Sequence, residues 1–382
     1  MKIFILFSIT FACGFLKIVS NANPLPYEAI FNFGDSTSDT GNAAFGREPM
    51  DKKSPYGSTY FKHPAGRMSD GRLIIDFIAE AYGLPFLPAS LNVTKSQGDT
   101  KRGVNFAYGG STALDSKYYF DRSGLDKPTT NNSLSVQFDW FKNQKPLLCK
   151  SKEECDSFFK RSLFIVGEIG GNDVFLHISK TITELREIVP LIVESITKTT
   201  NALIEEGAVE LVVPGNFPMG CNVDILTKKI SQKKEDYDEF GCLIAYNSFI
   251  EYFNEQLKKS IETLRQKHPQ AKIIYFDYYN DAKRLYEAPQ QYGLWSNYFT
   301  SLLSFTSDKV EVLKACCGGI GPYHRDANWC GMPGTTVCSD PSKLINFDGP
   351  HLTEAAYKQI AKGLIEGSFA NPSLKPAAFK IV

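Results

Sequence analysis

The 382-residue sequence has no excess of charge: 42 lysines and arginines balance 42 aspartates and glutamates. No summed field is therefore available to hold a phosphate backbone or an anionic bilayer, and nucleic acid is not an expected partner. Histidine is scarce, at five residues, and neither H-E-x-x-H nor C-x-x-C occurs, so no metal site is expected. The G-x-S-x-G elbow is also missing, which disfavours an α/β-hydrolase fold with that strained turn. Nothing repeats at a fixed period and no Pro- or Ser-rich linker divides the chain. Beyond the first residues no apolar run is long enough to cross a membrane, and the C-terminal Pro-Ala-Ala-Phe-Lys-Ile-Val lacks the tail of a lipid-anchor signal.

What is present begins with a leader. Met1-Lys2 is followed by an apolar run from Ile3 to Phe15, interrupted by Lys17 and ended by Ser20-Asn21-Ala22. The run is too short to span a bilayer and reads as a secretory signal peptide over residues 1–22, with residues 23–382 as one soluble, exported domain. At 43% hydrophobic the chain is ample for a large core. Once Cys13 leaves with the leader, eight cysteines remain: Cys149, Cys155, Cys221, Cys242, Cys316, Cys317, Cys330 and Cys338. An even number in an exported chain predicts disulfides. Cys149 and Cys155 flank a short loop and are expected to pair, whereas the neighbours Cys316 and Cys317 are expected to bond to separate partners; the remaining connectivity stays open. Two sequons, at Asn92 and Asn131, predict glycans on surface loops.

Short apolar runs at 29–33, 104–107, 163–166, 209–213 and 272–277 read as strands, each ended by a turn. Helical spacing predicts helices over 73–82, 182–206 with a kink at Pro190, 237–267, and from about Thr353. Strands alternating with helices predict an α/β fold with a mainly parallel sheet covered on both faces.

Such a sheet puts its functional loops beyond the carboxyl ends of its strands, and four marked turns fall at or near such ends. They are Gly34-Asp35-Ser36-Thr37-Ser38-Asp39-Thr40-Gly41-Asn42, Asn105-Phe106-Ala107-Tyr108-Gly109-Gly110, Gly170-Gly171-Asn172-Asp173, and Asp348-Gly349-Pro350-His351. Any of the first three alone is as well explained as an ordinary turn. In the fourth a carboxylate stands three residues before an imidazole, so one turn supplies both. A serine hydroxyl is a weak nucleophile that needs an imidazole to take its proton, and the imidazole needs a carboxylate to fix its tautomer. Among the other histidines, His63, His268 and His324 read as surface residues, and His177, close to Asn172, is the runner-up base.

The four turns, in this order and with these neighbours, resemble the plant GDSL esterase/lipase family, a branch of the SGNH hydrolases, over nearly the whole mature chain. The resemblance implies a three-layer α/β/α, flavodoxin-like fold and hydrolysis of a carboxylic ester without cofactor or metal. It further implies that Ser36 is the nucleophile, His351 the base and Asp348 its orienting acid, with the Ser36 and Gly110 amides and the Asn172 side chain as oxyanion donors. Gly167-Glu168-Ile169-Gly170-Gly171-Asn172-Asp173 and Cys316-Cys317-Gly318-Gly319 resemble the subgroup that includes acetylajmaline esterase and sinapine esterase, implying a small acylated metabolite such as an acetyl ester. The sequence departs from that pattern at Val174, at Tyr323-His324 and at Phe347, positions expected near the pocket. Two rivals remain: an acyltransferase using the same acyl-enzyme, and an idle secreted binding or defence protein, against which the intact Ser36, Asp348 and His351 speak. The ester, its acyl length, the oligomeric state and the final compartment are not legible.

Overall fold

The computed structural model describes residues 25–45, 53–96, 100–122, 125–294 and 308–381; the expected signal peptide, residues 1–22, lies outside them. The sheet is built from the apolar runs. β1 (Ala29–Phe33), β2 (Gly103–Asn105), β3 (Ser162–Val166) and β4 (Glu210–Pro214) are buried at every position, and β5 (Lys272–Phe276) at all but its first. Strands without polar alternation are what a parallel sheet covered on both faces requires. The five run parallel in the order β2-β1-β3-β4-β5, with Phe31 opposite both Val104 and Phe164. This is the flavodoxin-like strand order, whose switch point lies between β1 and β3. A small hairpin of β6 (Cys317–Gly318) and β7 (Thr336–Val337) stands apart, and β8 (Ala370–Asn371) adds an antiparallel edge to β5.

The helices that frame the sheet and the site are α1 (Ile74–Ala81), α2 (Leu134–Leu148), α3 (Gly171–Leu176), α4 (Ile182–Glu205), α5 (Ile244–Lys267), α6 (Tyr278–Glu287) and α7 (Glu354–Ile365), with shorter ones between them. α4 packs on α2 and α5, and α7 packs on α1 and α6, giving a helical layer on each face of the sheet. α4 buries Leu185, Ile188, Val189, Ile192, Val193 and Ile196, a stripe at helical spacing. Against the sheet Phe31, Phe141, Phe159 and Phe164 form one aromatic cluster, with the Phe31 and Phe164 centroids 5.0 Å apart.

Several boundaries differ from the sequence reading. β2 starts one residue before the expected run and is regular only to Asn105, although its pairing with β1 carries on in the same register through Phe106 N to Asn32 O at 2.7 Å and Tyr108 N to Gly34 O at 3.1 Å. The helix expected from residue 237 starts at Ile244: Tyr237 and Leu243 bridge as antiparallel partners, Gly241 has positive φ, and Cys242 is tied to Cys221. α4 runs through Pro190 as one helix. α2 and the edge strand β8 have no counterpart in the sequence reading. The disulfides are Cys149–Cys155, Cys221–Cys242, Cys316–Cys338 and Cys317–Cys330, so the neighbours Cys316 and Cys317 do bond to separate partners.

Candidate active site

β1 ends in Gly34, at φ 141°, where a Cβ would stand 2.8 Å from Ser38 Oγ and 3.1 Å from the Glu168 carbonyl; only glycine lets the chain turn so close to β3. Ser36 sits in the turn that follows. Asp35 Oδ1 accepts from the Thr37 amide at 2.9 Å, and the Asp39 carboxylate accepts from the amides of Gly41, Asn42 and Ala43. Asp39 Oδ2 also accepts from Gly109 N at 2.8 Å, and Asn42 Nδ2 donates to the Asn105 and Ala107 carbonyls, both at 2.8 Å. The polar residues around Ser36 thus tie its turn to the loop after β2. Gln137 of α2 completes the tie, bonding both backbone groups of Gly34 and the Ser111 hydroxyl.

The loop after β3 enters α3 through Gly170, at φ 106°. Asp173 on this short helix accepts from Ala113 N at 2.8 Å, Leu114 N at 3.0 Å and the Tyr119 hydroxyl at 2.6 Å. Its neighbour Asn172 turns the other way: Nδ2 donates to Ser111 O at 2.9 Å and to Asp35 Oδ2 at 3.1 Å. Gly110, at φ 84°, lies on the adjoining loop beside Gly109, where a Cβ would stand 3.8 Å from Ser36 Cβ.

The fourth turn closes on these three. His351 Nε2 and Ser36 Oγ are 2.8 Å apart, and His351 Nδ1 lies 2.9 Å from each Asp348 carboxylate oxygen. Asp348 also accepts from the His351 amide at 3.1 Å and from the Tyr56 hydroxyl at 2.6 Å. Burial alone would lower the His351 imidazole, but the Asp348 charge and hydrogen bond hold it above its ordinary value. Burial would likewise raise the Asp348 carboxyl, yet His351 and Tyr56 hold it below the usual carboxylate range. The two directions agree: the pair favours carboxylate beside imidazolium.

Ser36, Asn172 and His351 line one cavity of about 70 Å³, walled by Phe175, Phe217, Met219, Tyr286, Leu352 and Tyr357 among others. Gly110 is not part of that wall, and the glycine recorded beside Ser36 is its neighbour Gly109. None of the departures named above lines it either: Val174 is in the main core, Phe347 packs in a second core with Tyr56, Cys316, Cys317 and Cys330, and Tyr323 is buried elsewhere. The other histidines are engaged away from Ser36. His63 contacts Pro64 O, His268 contacts Asn201, His324 contacts Ala315 O and Thr336, and His177 contacts Asp173 O at 2.7 Å between Tyr118 and Tyr119.

The segment before α1, unassigned from sequence, cradles the His351 turn. Besides Tyr56, the Ser69 hydroxyl donates to Leu352 O at 2.9 Å, Asp70 accepts from Glu354 N at 2.8 Å, and Arg72 pairs with Glu354 at 2.8 Å. A run such as Ser69-Asp70-Gly71-Arg72 ahead of a helix is the sequence trace of this cradle, but its partners lie some 280 residues away. Below the turn, Gly349 at φ 123° leaves room for a buried ion pair of Arg325 with Asp224 at 2.6 Å.

A flavodoxin-like sheet thus carries a serine, a histidine and an aspartate in one chain of contacts beyond its strand ends, the arrangement that serine hydrolases use. Residues 30–364 match the family GDSL-like Lipase/Acylhydrolase, and the chain belongs to that family of carboxylic ester hydrolases. It is 45% identical to a GDSL esterase/lipase of Arabidopsis thaliana, over 98% of this chain and 100% of the relative. A second Arabidopsis thaliana GDSL esterase/lipase is 41% identical over 95% of this chain and 90% of its own length. The sinapine esterase of Brassica napus is 41% identical over 93% of this chain and 90% of its own length. Among solved structures, phospholipase A1 from Streptomyces albidoflavus aligns with 72% of this chain and 90% of its own at 13% identity and a TM-score of 0.28, too low to bear on function.

Proposed function

We propose that this chain hydrolyses a small ester with a short acyl group through an acyl-enzyme on Ser36, as a secreted protein. The observation that carries the reading is the unbroken contact from Ser36 Oγ to His351 Nε2, at 2.8 Å, and from Nδ1 to Asp348, at 2.9 Å. Ser36 Oγ attacks the acyl carbon while its proton passes to His351 Nε2, and Asp348 stabilises the imidazolium. The oxyanion is received by the Ser36 and Gly110 amides and Asn172 Nδ2. Collapse breaks the ester bond, and the departing alcohol takes the proton from Nε2. A water then attacks the acyl-enzyme and gives its proton to His351; the acyl–Oγ bond breaks, Ser36 Oγ takes the proton back from Nε2, and the acid leaves.

The cavity of about 70 Å³ supports a short acyl group, and the Brassica relative named for sinapine supports a small-molecule ester. Four disulfides and the apolar leader support export through an oxidising compartment, with residues 23–382 as one domain. Asn92, on the short helix Ser90–Ser96, and Asn131 are exposed, which supports glycans at both.

The test labels the purified protein with a fluorophosphonate and measures kcat/KM on acetyl esters for Ser36→Ala, His351→Ala and Asp348→Asn. Labelling should vanish in Ser36→Ala, and Asp348→Asn should lose on the order of 10⁴-fold with its fold intact. Labelling that survives Ser36→Ala, or a near-normal His351→Ala, rejects the assignment. Mass spectrometry of the exported protein checks the start at Asn23 and the glycans.

A further inference from the structure

Two buried carboxyl groups touch beneath Ser36, and the mechanism above uses neither. Asp35 follows the end of β1 and Glu168 lies on the loop after β3; they are 3% and 6% exposed, both line the cavity, and their carboxyl groups face each other within hydrogen-bonding reach. A hydrogen bond between two carboxyls needs a proton on one of them, and like charges this close in a desolvated site do not both ionise. The surroundings decide which group holds it. Asp35 accepts from the Thr37 amide at 2.9 Å and from Asn172 Nδ2 at 3.1 Å. Glu168 accepts from the Gly171 amide but also faces the buried Asp173 carboxyl. The carboxamide oxygen of Asn216, buried without a partner, lies on the same side: a Cβ at Gly171 would stand 2.8 Å from Glu168 Oε1 and 3.4 Å from Asn216 Oδ1. Asp35 receives two donors, whereas Glu168 receives one and has the Asp173 carboxyl and the Asn216 oxygen near it, so Asp35 is the carboxylate and Glu168 the acid that donates to it.

Asn172 connects this pair to the chemistry. Its two amide hydrogens are both engaged, on Ser111 O at 2.9 Å and on Asp35 Oδ2 at 3.1 Å. An oxyanion needs one of them, and the longer bond is the one to Asp35. A fully charged Asp35 would hold that N–H in a charge-assisted bond and repel the oxyanion as well. We propose that Glu168 is a positioning residue: by donating its proton to Asp35 it neutralises part of that charge and lets the Asn172 amide turn to the oxyanion. This rests on the reading of Asn172 as an oxyanion donor.

Loss of the Glu168 proton makes the pair dianionic and should switch the enzyme down at alkaline pH. The other ionisable groups turned toward the pair are Asp173, His351, Tyr278 and Tyr357. Burial keeps both tyrosines neutral. Asp173 is pushed up by burial to about 6, and loss of the His351 proton creates the base and raises activity, so neither accounts for an alkaline fall.

The test is kcat and KM against pH for wild type, Glu168→Gln, Glu168→Ala and Asn172→Ala on one soluble acetyl ester, with circular dichroism at each pH. Wild type should lose kcat at the alkaline end. Glu168→Gln, a permanent neutral donor to Asp35, should stay within about three-fold of wild type at neutral pH and lose the alkaline fall. Glu168→Ala should lose kcat by about ten-fold or more with KM within about three-fold. An alkaline fall unchanged in Glu168→Gln, no alkaline fall in wild type, or a folded Glu168→Ala with wild-type kcat overturns the proposal. If Glu168→Ala does not fold, the Glu168→Gln profile decides alone. Wild-type kcat in Asn172→Ala rejects the oxyanion reading itself, whereas a crippled Asn172→Ala beside an unchanged Glu168→Gln profile rejects only the role of Glu168.

Discussion

The Tyr56 hydroxyl donates to Asp348 Oδ2 at 2.6 Å, and its ring packs edge-on against Phe347 with centroids 5.2 Å apart. Asp348 is fully buried, so each donor it receives helps keep it ionised beside His351. Tyr56→Phe keeps the packing and removes one charge-assisted bond of ordinary worth, about 1.5–3 kcal/mol. The variant should fold normally and lose about ten-fold or more in kcat/KM. A steady-state assay beside a thermal melt checks this; unchanged kcat/KM would mean that Tyr56 only packs.

The acid limb of the rate profile should belong to His351. Its imidazole is held above the ordinary value of about 6.5 by Asp348, against burial that pulls it down. The base form is therefore lost as pH falls through a midpoint above that value, and wild-type kcat/KM should rise with pH through it. Asp348→Asn removes the charge that does most to raise the imidazole, leaving the weaker pull of Asp35 and Asp224 against burial. Its residual activity should titrate with a lower midpoint than wild type. Equal midpoints in the two proteins would assign the limb to another group.

The disulfides should differ in what they protect. Cys317–Cys330 and Cys316–Cys338 close the second core, the one that contains Tyr56 and Phe347, next to Asp348. Cys149–Cys155 clips the end of α2. Replacing either Cys317 with Cys330, or Cys149 with Cys155, by serine should lower the melting temperature, with a stability loss of about 2 kcal/mol or more. Only the first pair should also lower kcat/KM well below the melting range, because only it backs the triad carboxylate. Equal activity in the two double variants at 25 °C, a temperature at which about all of each is folded, would break that distinction.

The parts of the fold that were legible in sequence share one property: the signal is local. β1 and β3 are apolar runs ended by glycine turns, and Asp348 with His351 reads as an acid and base because three residues separate them. What was not legible depends on distant partners. Gln137 is an ordinary polar residue in a helix of weak amphipathic pattern until its amide meets Gly34 across 103 positions. Tyr56 and Arg72 find Asp348 and Glu354 only when the sheet brings the chain ends together. Helix propensity at 237–243 was overridden by the Cys221–Cys242 bond and the turn at Gly241. Val174 and Phe347, expected near the pocket from their place in the motifs, face the cores instead, because successive residues of a helix or loop point in different directions. Asn172 and Asp173 show the same division, one toward Ser36's turn and one toward Ala113 and Tyr119.

Acyl length should follow from the size of the cavity beside Ser36. Its volume of about 70 Å³ is roughly half the 150 Å³ of an engineered protein cavity that holds benzene, a size matched to an acetyl or propionyl group rather than to a long chain. Met219 forms part of the wall and is itself buried. A methionine side chain is unbranched and adaptable, and shortening it enlarges the space without altering the triad. One methylene more or less in an apolar pocket changes the rate by about 10-fold or more. In a series of p-nitrophenyl esters, wild-type kcat/KM should therefore peak at acetyl or propionyl and fall by about 10-fold or more by hexanoyl. Met219→Ala should move the peak toward butyryl and lower the acetyl rate, since the smaller group is then held less closely near the attacking oxygen. A wild-type optimum at octanoyl, or an optimum in Met219→Ala identical to wild type, would show that the acyl chain leaves the active site by a different route.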